Sequence, residues 1–159
     1  MHIDSCARGV TVKMLTFNTR GLLFPGIHVI SWGNFIEEYS FSPRRIYLFS
    51  GMKKALLHFK QAGCKRVYID GSFVSKKTEP GDYDACWDSS DVDFTLLDPM
   101  FHHGLRLGTL PQKIKYLGEF YPAGCLERAS GMTFLDFFQT DKGTGNRKGI
   151  IQIELEGVS

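Results

Sequence analysis

Apolar residues along the chain change their spacing several times, and each change marks an element. Phe49, Met52, Leu56 and Phe59 recur at intervals of three and four, with Lys53, Lys54 and Lys60 off that stripe. This predicts an amphipathic helix, opened by Pro43 with Ser42 as its cap and closed at Ala62-Gly63. Ser31 followed by Trp32, Phe35, Ile36 and Tyr39 predicts a shorter capped helix before it. Val67-Tyr68-Ile69 and Tyr83 to Trp87 read as short strands. The stretch between them, 73–81, is basic, polar and broken by Pro80-Gly81, so it is at least partly loop. Short helices are expected near Leu96-Leu97 and across Pro111 to Leu117. Met132 to Phe138 and Gly149 to Leu155 read as strands flanking the turn residues Asp141 to Asn146, and so as a hairpin. The order predicts an α+β domain with a mixed β-sheet and helices packed mainly on one face. Residues 1–13 are polar and unpatterned and are expected to form a tail, leaving a single domain over 14–159.

Composition narrows the class. A hydrophobic fraction of 43% and an aromatic fraction of 13% in 159 residues support one packed core. The formal charge of +2 gives no bulk argument for nucleic-acid or membrane binding, so any electropositive surface has to be local. No apolar run approaches the roughly 20 residues that span a bilayer. Gly21-Leu22-Leu23-Phe24 is cut by Pro25, and no signal-peptide pattern opens the chain. Cys6, Cys64, Cys86 and Cys125 are scattered, without CxxC or zinc-type histidine spacing. Reduced thiols, a cytoplasmic location and no membrane partner are expected.

The candidate chemistry lies in Ile69-Asp70-Gly71-Ser72, nine intervening residues, and Asp82-Tyr83-Asp84-Ala85. Residues two apart in a strand point to one face, so Asp82 and Asp84 present their carboxylates side by side. Two like charges that close repel, and a divalent cation such as Mg2+ or Mn2+ resolves the conflict. A glycine at a strand end allows close approach of the backbone to a ligand. Its amides and the Ser72 hydroxyl suit phosphate oxygens. Together these are the two halves of a metal–triphosphate site, and phosphoryl or nucleotidyl transfer needs mostly positioning and charge neutralisation.

These residues resemble the signature of the nucleotidyltransferase superfamily: an apolar residue, Gly, Gly or Ser, a gap, then Asp, apolar, Asp or Glu, apolar. Gly71, Ser72, Asp82, Tyr83, Asp84 and Ala85 fit it, while Asp70 stands where the family usually has an apolar residue. The resemblance implies that Gly71 and Ser72 contact the triphosphate, that Asp82 and Asp84 bind metal, and that a third acid from a later strand completes the site. Asp136, between Leu135 and Phe137 on an expected strand, is the candidate for that third position. A wider likeness runs through Phe17 to Gly21, Tyr68 to Val74, Gly81 to Asp84, Phe137 to Gln139 and Lys148 to Ile150. It points to a largely uncharacterised family of small bacterial and phage proteins, minimal nucleotidyltransferase-like. Some of these look like parts of toxin–antitoxin or defence modules. The usual helical domain for substrate recognition is absent.

Each candidate has a plainer reading beside it. Asp82-Tyr83-Asp84 could be a solvated turn, Asp136 a surface carboxylate, and Asp70 a turn former or a residue behind the ligands. Lys76 and Lys77 could reach the β- and γ-phosphates as point charges or simply be solvated. Lys142, Arg147 and Lys148 could cover a polyanion such as RNA or form an ordinary basic tip. Asp91 and Asp93 alternate as well but follow Ser89-Ser90 and read as loop. His102-His103 reads as a loop pair, and Trp32 and Trp87 as packing residues. Two functions follow. One is a metal-dependent nucleotidyltransferase that moves a nucleoside monophosphate from an NTP to RNA, protein or a small molecule. The other is a non-catalytic module, such as an antitoxin bound to a cognate toxin or a nucleotide sensor.

Overall fold

The computed structural model describes residues 15–102 and 108–159; the expected tail and His103 lie outside them. Ser31 accepts the Asn34 N–H at 3.1 Å and starts helix α1, Trp32–Tyr39. Ser42 does the same for Arg45 at 3.3 Å, with proline in the first turn, and starts α2, Pro43–Gln61. Gly63, at φ +91°, turns the chain out of α2. The strands are β1 (Gly26–Val29), β2 (Arg66–Asp70), β3 (Tyr83–Trp87), β4 (Gly118–Pro122) and β5 (Gly149–Glu154). Helix α3 (Leu110–Tyr116) precedes β4, and α4 (Phe134–Phe138) follows it.

The strands form one mixed sheet in the order β1-β5-β2-β3-β4. The outer pairs β1–β5 and β3–β4 are parallel, and β2 runs antiparallel to both β5 and β3. On one face Val67, Ile69, Tyr83, Ala85, Phe120 and Ile151 pack against Phe35, Phe49, Met52, Leu56 and Phe59 of α1 and α2. Tyr116 of α3 joins this main core. The opposite face carries a smaller cluster in which Tyr68, Cys86 and Ile150 meet Phe134 and Phe138 of α4. The domain is thus α+β with its helices mainly on one face. Among the described residues no helix is long and apolar enough to cross a membrane.

Three expectations need correction. Met132 to Phe138 is not a strand: Thr133 accepts the Asp136 N–H at 3.2 Å and caps α4, and Phe134 and Phe138, four apart, share its buried side. A short apolar run satisfies either period, and here the cap decides. The hairpin is therefore absent; what remains of it is an isolated bridge between Thr140 and Arg147, and β5 inserts between β1 and β2. Near Leu96 there are turns, followed by a single 3-10 turn at Pro99–Phe101. Strands β1 and β4 went unanticipated.

Candidate functional site

Asp70, the last residue of β2, is the register partner of Asp84 on β3, and Asp84 is the partner of Glu119 on β4. Their chain neighbours Ile69, Tyr83, Ala85 and Phe120 all point into the main core. Alternation therefore sends the three carboxylates to the opposite face, in a row across three adjacent strands. Asp82, two residues before Asp84, adds a fourth just ahead of the start of β3.

The bend after β2 closes against the middle of this row. Gly71 has φ +82° and ψ −168°, a conformation essentially reserved for glycine. A Cβ placed there would stand 2.9 Å from Asp84 Oδ2 and 3.3 Å from the Asp84 amide nitrogen. The missing side chain lets the bend and the carboxylate touch. Ser72 follows at the start of a 3-10 turn, Ser72–Val74.

Beyond that turn the loop is held from behind by Arg45 of α2, which is fully buried. Its guanidinium donates to the carbonyls of Phe73 at 2.7 Å, Ser75 at 2.8 Å and Lys77 at 2.7 and 3.0 Å. It also lies 4.2 Å over the Phe41 ring and 4.8 Å over the Phe73 ring. No carboxylate pairs with it among the described residues, so its hydrogen bonds go to the loop backbone. The side chains of Lys76 and Lys77 are left exposed at the rim.

Electrostatics single out Asp84. Asp70 is buried and both its oxygens lie 3.1 Å from Lys148 Nζ. Burial outweighs the lysine and raises its pKa. Glu119 receives Lys113 Nζ at 2.5 Å and the Tyr121 hydroxyl at 2.7 Å. Against the opposing effect of burial, these bonds hold its pKa below the ordinary glutamate value. Asp82 is 3.2 Å from the same Lys113 ammonium. Asp84 has no ion pair among the described residues, and burial, then Glu119, Asp82 and Asp70, push its pKa up to about 6. An unpaired, half-buried carboxylate among three others favours whatever neutralises it, a proton or a cation.

Two clefts meet at Asp84. One, of about 690 Å³, is lined by Gly71, Ser72, Lys76, Lys77, Lys142 and Lys148, with Arg20 and Asp141 across from them. Its five cationic side chains outnumber its three carboxylates, which suits a polyanion. The other, of about 550 Å³, has aromatic walls in Tyr121, Phe134 and Phe137, together with Thr109, Glu119 and Arg128. Asp84 and Lys142 line both.

The structure thus brings Gly71, Ser72, Lys76, Lys77 and Asp84 to one cleft, with Asp82 beside them. Asp136 is not brought to them. As a residue of the first turn of α4 it is exposed, shares a hydrogen bond with the Thr133 cap at 3.2 Å and faces Arg147 at 3.7 Å. The carboxylates that do flank Asp84 are Asp70, expected as a turn former, and Glu119, which sequence reasoning passed over. The alternation of Glu119 and Tyr121 with Phe120 was the available signal. Arg45 and Lys113 gave none, because their roles depend on which loop and strand they meet.

No group of three or more His, Cys, Asp or Glu side chains forms a ready-made metal cage among the described residues. A donor set of one or two carboxylates suits a magnesium-type ion that keeps waters and shares the oxygens of a bound phosphate. No curated protein and no solved structure matches the chain. One protein-family model does, over residues 15–154, and the chain therefore belongs to DUF6932, a family of unknown function.

Proposed function

We propose that this protein is a cytoplasmic, metal-dependent nucleotidyltransferase with a nucleotidyltransferase-like fold, taking a nucleoside monophosphate from an NTP to an acceptor hydroxyl. The observation that carries the reading is the contact of the Gly71 bend with the unpaired Asp84 carboxylate, at the head of a cleft rich in lysines. Asp84 and Asp82 would hold Mg2+ or Mn2+, which supplies charge neutralisation at the phosphates. Ser72 faces the phosphates from the bend. Lys76, Lys77 and Lys142 balance the charge of the β- and γ-phosphates, and Arg45 keeps the loop in the shape that presents them. The acceptor oxygen attacks the α-phosphorus, the bond from that phosphorus to pyrophosphate breaks, and the hydroxyl proton passes to a carboxylate of the row or to water. The aromatic cleft on the far side of Asp84 is open to the rest of the nucleotide or to the acceptor.

The test is pyrophosphate release from the four ribonucleoside triphosphates with Mg2+, using the intact chain and the Asp82→Ala, Asp84→Ala double variant. Magnesium-dependent release that falls by at least about a hundredfold in the double variant supports the reading. Release that the double variant retains in full overturns it.

A further inference from the structure

The three carboxylates around Asp84 are all held by lysines. Lys148 holds Asp70 on one side of the row at 3.1 Å. On the other side a single ammonium, Lys113 Nζ, bridges Asp82 at 3.2 Å and Glu119 at 2.5 Å. The lysine side chain is 42% exposed, and it is the helix carrying it that is firmly anchored. Gln112, the neighbour of Lys113 on α3, is buried; it donates to the Met100 carbonyl at 2.8 Å and accepts the Phe120 N–H at 2.6 Å, tying α3 to β4. The Tyr83 hydroxyl donates to the Tyr116 carbonyl at 2.6 Å and ties the end of α3 to β3. Glu119 is steadied from its far side by Tyr121. The helix and both strands therefore converge on one point between Asp82 and Glu119, and a positive charge already stands there.

We infer that Lys113 fills, with an ammonium, the place a second divalent cation would take, and so restricts the site to one metal ion held at Asp84. This rests on the reading of Asp84 as metal-bearing. The physics is competition for the same oxygens: a cation between Asp82 and Glu119 has to displace the lysine, whereas a cation at Asp84 leaves the lysine in place and reaches Asp82 through the oxygen the lysine does not touch. With the ammonium gone, Asp82 and Glu119 become an uncompensated pair of carboxylates of the kind hard cations seek. Lys113 is thus a residue that sets how many metal ions the site takes. It is also a positioning residue, since it orients Asp82.

The experiment is a Mn2+ titration of the whole chain without nucleotide, with free Mn2+ read by electron paramagnetic resonance. Wild type, Lys113→Gln, Lys113→Arg and Asp84→Asn are compared after circular dichroism has verified folding. Expected is one bound Mn2+ in wild type and in Lys113→Arg, and a second in Lys113→Gln. That second ion should survive when Asp84→Asn is added to Lys113→Gln. Lys113→Met, which preserves the packing of the stem, replaces Lys113→Gln should the latter not fold. Unchanged or weaker Mn2+ binding on loss of the ammonium overturns the inference. If wild type and Asp84→Asn both bind no Mn2+ while Lys113→Gln gains one, the reading of Asp84 fails and the competition at Lys113 stands.

Discussion

Asp84 is the residue at which stability and chemistry pull in opposite directions. Its carboxylate is ionised at neutral pH only against burial and the fields of Glu119, Asp82 and Asp70. The sign of the pH dependence follows. The folded pKa, about 6, lies above the ordinary 3.8, so the folded chain binds this proton more tightly than the unfolded one. The stabilisation it brings is complete below about pH 4 and is lost as pH rises to about 6. Asp84→Asn, which removes the charge and keeps the shape, is expected to stabilise the fold at pH 7 by about 1–3 kcal/mol while abolishing metal binding. Urea denaturation at pH 7 and pH 4 checks this; a variant destabilised at pH 7 would contradict it. A bound cation favours the ionised form, so Mn2+ affinity should weaken by about tenfold per unit below pH 6. Equal affinity at pH 5 and pH 7.5 would count against Asp84 as the ligand.

At the scale of elements, the loop 71–77 is shaped from both ends. Gly71 supplies a backbone conformation that a side chain resists, and Arg45 supplies the donors for three loop carbonyls. Gly71→Ala should cost about 1–3 kcal/mol and displace the Asp84 carboxylate, with loss of metal and nucleotide binding. Thermal unfolding and Mn2+ titration of the same sample would show both effects; full metal binding in Gly71→Ala would refute the close contact. Arg45→Met strands those carbonyls in a buried setting and should cost at least about 3 kcal/mol, read from chemical denaturation. Elements were legible where local chemistry determined them. The Ser31 and Ser42 caps and the Phe49, Met52, Leu56 and Phe59 stripe fixed α1 and α2, and Tyr83 to Trp87 fixed β3. By contrast, β4 is entered directly from Leu117, which adopts a left-handed conformation without being glycine, so no turn residue announced it. The Phe134 to Phe138 run carried both periods, and its Thr133 cap was read as part of a strand.

For the whole molecule, the sequence carried the pairing of a glycine bend with an acidic strand, because both halves lie within one short stretch, Asp70 to Asp84. It did not carry the row Asp70, Asp84, Glu119, since that row exists only through the registers of β2, β3 and β4. The placement of Asp136 has the same origin: the acid that joins the row after Asp84 is Glu119 on β4, whereas Asp136 lies on α4. The family match begins at residue 15, and a chain starting at Met14 should retain the full stability to within about 0.5 kcal/mol. A larger loss in thermal unfolding would place part of residues 1–13 in the core. What unites these features is the proposed site, in which a bend, an unpaired carboxylate and a basic cleft would receive a cation-bound polyphosphate. Isothermal titration calorimetry of the intact chain with each ribonucleoside triphosphate, with and without Mg2+, tests it most directly. Expected is saturable binding of at least one triphosphate that requires Mg2+ and disappears in Asp84→Asn; binding of none, or binding indifferent to both Mg2+ and Asp84, would contradict it.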